Sequence, residues 1–267
     1  MENTIARIYF MIGTYYLQLV KDRVMKQIQI TLTPGESKRI IAMGVKKLPV
    51  IQQALRKGII LITLGTTNAY VLEELTGKKV EHNRYAAGYI NGTATVVPQD
   101  RRLPAVALKN GKEISGEGII TEMTSEDVVI KGANALDPDG IAGVMIANPT
   151  GGTTGALLGH IMAKGINLVI PVGLEKSIPY SVVDISKRIG IQRCIKATGL
   201  PVGMMPLPGE VITEVEALTL LGADDVFPIG SGGVEGGEGS VTLCVIGNKA
   251  EEIFELVQRV KEKKGEM

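Results

Sequence analysis

Ile59-Ile60-Leu61-Ile62-Thr63-Leu64 is an unbroken run of β-branched and aliphatic residues with no polar face to turn towards water. Such a run describes a strand covered on both sides, the usual condition inside a parallel sheet. Gly65 ends it, Thr66 and Thr67 are helix-capping residue types, and Ala69, Leu72 and Leu75 recur every three residues until Gly77 stops the pattern. The unit is strand, turn, helix. Its turn, Leu64-Gly65-Thr66-Thr67-Asn68, joins a buried strand end to the free N–H groups and positive dipole end of a helix start, with hydroxyl and amide donors beside them. An anion, phosphate above all, fits there; the alternative is a tight turn at Gly65 with a threonine that only caps. No GxxxxGK[ST] is present, so the turn is not a P-loop.

Around this unit the chain alternates. Residues 26–32 alternate polar and apolar as a strand does, Pro34-Gly35-Glu36-Ser37 reads as a turn capping a helix that ends near Pro49, and a short helix follows at 50–57. Asn91-Gly92 and Asn110-Gly111 sit within extended segments at 86–97 and 105–112 and predict two hairpins. Strands are expected at 127–130 and 167–172, with helices from Thr153 or Thr154 to Lys164 and over 181–188. A Gly-, Pro- and Met-rich break at 198–210 suggests a boundary, after which the order is strand (202–207), helix (211–221), strand (225–230), Gly-rich turn (232–239), strand (240–246) and an amphipathic helix carrying Ile253, Leu256, Val257 and Val260.

The expected fold class is therefore α/β: a three-layer, mostly parallel sheet with helices on both faces at 26–197, and a small C-terminal α+β (βαββα) layer at 198–267 that covers a pocket or makes a subunit contact. Residues 1–25 are an N-terminal extension or docking helix. Within them Ile5–Val20 is too short and polar for a membrane span, and the start Met-Glu-Asn with no A-x-A-like site does not resemble a signal peptide. Residues 1–24 read either as upstream sequence from a misplaced start codon or as that helix. A formal charge of +1 gives no general footprint for nucleic acid or acidic membrane. Cys194 and Cys244 lie far apart without metal spacing and are expected to be buried, inert thiols; His82 and His160 read as surface or helix residues. The expectation is a cytoplasmic protein without metal or cofactor, binding a small anionic metabolite, with homo-oligomer formation open.

Three blocks resemble the superfamily that joins ribose-5-phosphate isomerase A, glucosamine-6-phosphate deaminase, CoA transferases, the effector domains of DeoR-type repressors and the translation factor 2B regulatory subunits. The run from Ile59 to Asn68 followed by Leu72-Glu73-Glu74-Leu75 is similar to that family's strand, Gly-Thr phosphate loop and helix. Asp127 to Gly140 resembles the second block, a strand leading to Gly-Ala-Asp and a turn. Gly152-Thr153-Thr154 and Val172-Gly173-Leu174-Glu175-Lys176 resemble the third, a Gly-Thr helix start and a strand-end lysine flanking the pocket. The likeness covers about 59–176, and a closer one is to uncharacterised prokaryotic proteins with the same blocks.

The resemblance implies that Gly65, Thr66, Thr67 and Asn68 hold a phosphate. Gly132, Asn134, Asp137, Thr150, Thr153 and Glu175 would surround the rest of the ligand, and Lys176 or Lys131 would balance its charge; Asn148-Pro149-Thr150-Gly151-Gly152-Thr153-Thr154 departs from the isomerase motif, and its Gly-Gly turn into a helix start reads by itself as a second anion site or as a well-capped helix. The resemblance also implies isomerase or transferase chemistry, but Asn134 stands where the isomerases carry a carboxylate, and an amide cannot abstract a proton. Catalysis would have to recruit Asp137, Asp139 or Glu175, with Glu175 the CoA-transferase nucleophile in a third reading. Asn134 equally suits a non-catalytic sensor or regulatory subunit. The loop Gly230–Ser240 is expected to be either a lid bringing Glu235 or Glu238 to the site or a flexible hairpin end.

Overall fold

The computed structural model describes residues 25–262; the expectations for residues 1–24 lie outside them. Strands and helices run β1 (Gln27–Leu32), α1 (Pro34–Lys47), α2 (Pro49–Arg56), β2 (Ile59–Ile62), α3 (Thr66–Thr76), the hairpin β3 (Gly88–Asn91) and β4 (Thr93–Val96), and the hairpin β5 (Val106–Lys109) and β6 (Lys112–Ser115). Then come β7 (Val128–Ile130), β8 (Ala135–Leu136), β9 (Ala142–Ile146), α4 (Gly152–Lys164), β10 (Asn167–Pro171) and α5 (Val182–Arg188). The chain ends with β11 (Gly203–Leu207), β12 (Glu210–Ile212), α6 (Glu214–Leu220), β13 (Asp225–Gly232), β14 (Ser240–Ile246) and α7 (Ala250–Glu262).

The organising element is a six-stranded sheet in the order β12-β10-β7-β2-β5-β6. Its first four strands are parallel, and the β5–β6 hairpin joins β2 antiparallel, so the sheet is mixed. All four residues of β2 are buried, and alternate residues enter two different apolar clusters. Ile60 and Ile62 join Ile40, Ile41 and Val45 of α1 with Val71 and Leu72 of α3, while Ile59 and Leu61 join Leu157 and Ile161 of α4. A strand covered on both faces needs no polar alternation, and the α/β class follows from that.

Several elements differ from the sequence expectations. Pro34 opens α1 rather than a preceding turn, because its fixed φ suits the first helical position and Thr33 N donates to Glu36 Oε2 at 2.9 Å in a capping box. Short β8 and β9 were not anticipated, and neither was β12: only Glu214–Leu220 of the expected 211–221 helix is helical, after Thr213 caps it. Strands on either side of residue 198 pair with each other: β11 with β9, β12 with β10, and β14 with β1. Cys244 is buried, but Cys194 is exposed and donates Sγ–H to the Lys196 carbonyl at 3.1 Å.

Candidate functional site

Because β2, β7 and β10 run parallel, the residues that follow them emerge at one edge of the sheet. Open α/β sheets place ligands at this carboxyl edge. A cavity of about 460 Å³ lies there, in the size range of small-molecule sites. Leu64–Thr67 from the β2–α3 turn, Lys131–Asn134 after β7, and Lys176 after β10 line it. Asn148, Gly151, Gly152, Thr153 and Thr154, from the β9–α4 turn, complete the wall. All three sequence blocks thus meet at one cavity.

Two helix starts converge on it. No side chain caps α3 or α4, whose N-cap residues are Gly65 and Gly151. The threonines expected to cap therefore lie inside the first turns, where their backbone N–H groups have no partner four residues back. Gly151 sits at φ 84°, a left-handed conformation that glycine tolerates and threonine does not, so the cap position belongs to glycine for a backbone reason. Thr67 is 2% exposed, lines the cavity, and its Oγ1 has no hydrogen-bond partner. A buried hydroxyl left unmatched costs roughly 1–3 kcal/mol, so an incoming acceptor would recover that loss.

The cavity is electrostatically one-sided. Arg102, Lys131 and Lys176 line it, and no aspartate or glutamate does. Neither lysine makes an ion pair within 4.0 Å among the described residues; Lys131 Nζ donates only to the Gly132 carbonyl, at 3.3 Å. Burial, with the Lys176 charge beside it, brings the Lys131 ammonium down to about 8. Burial also lowers Lys176, opposed by Glu175 and Glu214.

Four expected site residues stand elsewhere. Asn68 is fully buried, and its Nδ2 donates to the Thr63 carbonyl (2.8 Å), Thr63 Oγ1 (3.2 Å) and the Ile130 carbonyl (3.3 Å). It braces β2 against β7 instead of facing a ligand. Asp137 accepts from the N–H groups of Asp139 and Ile141 through Oδ1 (3.0 and 2.8 Å) and of Val182 through Oδ2 (2.9 Å), fixing the 137–141 turn to the start of α5. Thr150 turns its hydroxyl to Asn148 Oδ1 at 2.7 Å. Glu175 does not line the cavity and pairs with Lys38 at 3.5 Å. Asn134 lines the cavity while its Oδ1 accepts from the Met145 N–H at 3.0 Å, which ties the residue after β7 to β9. Glu235 and Glu238 of the Gly-rich loop do not line the cavity; Gly239 of that loop packs instead over Glu175.

The sequence did not identify the outer wall. Tyr89, Ile90, Ala94, Thr95 and Val96 of the β3–β4 hairpin, Arg102, and Leu200 and Val202 close the cavity from above. The Asn91-Gly92 signal announced the hairpin, but nothing local says that an isolated two-stranded ribbon folds back over a sheet edge. Among the described residues no helix is long and apolar enough to cross a membrane, and no group of three or more His, Cys, Asp or Glu side chains is arranged to hold a metal. No family model, curated protein or solved structure matches the chain.

Proposed function

We propose that the chain binds a phosphorylated or similarly anionic small metabolite in the cavity at the carboxyl ends of β2, β7 and β10. One observation carries the proposal: in a chain of nearly balanced charge, three cations and two uncapped helix starts line a cavity that no carboxylate enters. Helix N-termini and buried ammonium groups both stabilise anions, and Thr67 supplies a donor that lacks an acceptor. Gly65, Thr66 and Thr67 with the α4 start hold the charged group; Lys131 and Lys176 balance it. The finer architecture implied by the resemblance, a phosphate-loop fold of the isomerase and CoA-transferase type in three layers, is part of the same proposal and accords with the meeting of all three blocks at the cavity.

Binding without acid–base catalysis is the favoured form. Asn134 replaces the expected carboxylate, Asp137 is committed to three backbone N–H groups, and Glu175 pairs with Lys38. A regulatory or sensing role for a cytoplasmic protein follows, ahead of isomerisation or of CoA transfer through Glu175. The test is a thermal-shift screen against inorganic phosphate, phosphosugars, nucleotides and acyl thioesters, since a ligand of the native state raises stability by mass action. Stabilisation by phosphorylated compounds that disappears in the Thr66→Val/Thr67→Val variant is expected. Failure of every anion to stabilise the protein would reduce the turn to an ordinary helix start.

A further inference from the structure

A second cavity, of about 820 Å³, adjoins the first, and Ile90, Ala94, Met145, Leu200 and Val202 line both. The wall they share is built. Gly199 pairs with Ala94 and the Leu200 N–H donates to the Ala94 carbonyl at 2.8 Å. The segments are pressed so closely that a Cβ at Gly199 would stand 2.3 Å from the Ala94 carbonyl oxygen. Beyond this apolar waist the second cavity is bordered by Arg188, Arg193 and Lys196, again with no aspartate or glutamate. Arg193 is held in place by the Lys187 and Arg188 carbonyls at 2.9 and 3.1 Å, and Arg188 lies over the Tyr180 ring at 5.6 Å.

Resting on the proposed anion site, we propose that the ligand is an elongated organic bisanion: one phosphate-type group at the α3 and α4 starts, an apolar middle across the Ile90–Met145–Leu200 waist, and a second anionic group at Arg188, Arg193 and Lys196. A phosphosugar confined to the first cavity would leave Ile90 65% and Leu200 38% exposed and would not reach three further, exposed cations that border a cavity lined by no carboxylate. An apolar spacer covers Ile90 and Leu200, because burying methylene groups against apolar side chains is favourable. A second anion engages the cations through charge-assisted hydrogen bonds. Six cations and no carboxylate line two adjoining cavities whose shared rim carries the exposed Ile90 and Leu200, and this matches a ligand charged at both ends better than one charged at its head alone.

Cys194 makes the proposal measurable. It lines the second cavity and is exposed, whereas the chain's other thiol, Cys244, is buried, so alkylation with iodoacetamide reports on occupancy beyond the waist. The full chain is titrated calorimetrically with inorganic phosphate, hexyl phosphate and hexanediol bisphosphate, and Cys194 alkylation is timed at saturation with each. The bisphosphate is expected to bind about ten-fold or more tighter than hexyl phosphate, as one charge-assisted contact allows. It should also slow alkylation several-fold where inorganic phosphate does not. In Arg188→Gln/Lys196→Gln, two exposed positions, that advantage disappears while phosphate affinity stays. Phosphate binding with no gain from either organic compound, or equal affinity for hexyl phosphate and the bisphosphate, overturns the bisanion proposal and leaves the anion site standing. Absence of binding by all three overturns both.

Discussion

Two polar regions meet at the 174–176 turn, and they treat charge differently. On the cavity side, Arg102, Lys131 and Lys176 face the space without a carboxylate. On the other side, under the Gly-rich loop, Glu175 pairs with Lys38, both side chains nearly covered, and Glu214 lies wholly buried, accepting the Leu174 N–H at 2.9 Å through Oε2. Charges that only stabilise a fold are commonly paired, because an unpaired buried charge is costly. In the second region Glu175 is paired, while Glu214, in no ion pair among the described residues, has its pKa raised by burial; in the first, no carboxylate faces the cations. The proposed anion site rests on that imbalance, and tests that change the cations or the carboxylates separately can break it.

The sharpest way to break the contrast is to remove the cations. Lys131→Met/Lys176→Met should lower phosphate affinity about 100-fold or more, at roughly 1.5–3 kcal/mol per charge-assisted contact. Stability should hold or rise, since two poorly solvated ammonium groups leave the apo protein. Calorimetric titration beside thermal denaturation measures both. If the variant unfolds instead, the lysines belong to the structure and the contrast is lost.

A smaller effect comes from titrating rather than deleting. Lys131 is charged below about 8 and neutral above it, so affinity for sulfate, whose own charge does not change in this range, should fall as pH rises through that point. Loss of one cation predicts a weakening of about ten-fold between roughly pH 6.5 and pH 9. In Lys131→Gln that pH dependence should be largely gone. A sulfate affinity that is flat over the same window would show that Lys131 does not meet the anion.

Thr67 offers a subtler test because binding and stability should move in opposite directions. Thr67→Val removes a buried oxygen with no partner while conserving shape, so the unliganded protein should gain on the order of 1 kcal/mol and bind phosphate several-fold more weakly. Asn68→Leu, one residue on, should instead destabilise by about 2–4 kcal/mol, because its buried amide donates to the carbonyl and hydroxyl of Thr63, just past β2, and to the Ile130 carbonyl of β7. Equal behaviour of the two variants in denaturation would erase the distinction between ligand-facing and bracing residues in this turn.

That distinction marks the limit of what the sequence made legible. Strand β2, helix α3 and both Asn-Gly hairpins are local patterns, and each announces itself through burial, period or turn chemistry. The convergence of 65–67, 131–134 and 151–154 was also accessible, because parallel strands deliver their following turns to one edge. The direction of a side chain was not. Asn68 and Thr67 are adjacent polar residues in one helical turn, and only the packing of α3 on the sheet decides which meets a carbonyl and which meets the cavity. Asp137 and Glu175 were plausible acids by position, yet backbone N–H groups and Lys38 claim them. Short strands such as β8 and β12 carry too few residues to show a period, and β9 and β12 also pair with strands far along the chain.

The last and smallest effect sharpens the carboxylate side. Burial raises the Glu214 pKa above the ordinary carboxylate range, against bonds from the Leu174 N–H and others that lower it, and Glu175 adds to the rise. Folding thus favours protonated Glu214. Its contribution to stability is fully present below the unfolded pKa and is lost as pH rises through the higher folded value. Glu214→Gln keeps an oxygen for the Leu174 N–H and cannot ionise. The stability of the variant relative to the parent should therefore rise as pH climbs from below the unfolded pKa to above the folded one, then level off. Denaturant unfolding of both proteins across that range reads the difference directly, with Glu36 and the other carboxylates cancelling in the subtraction. A difference that stays constant with pH would mean that Glu214 is as well solvated or as well paired in the fold as in the open chain, and that burial on the carboxylate side costs its charge nothing.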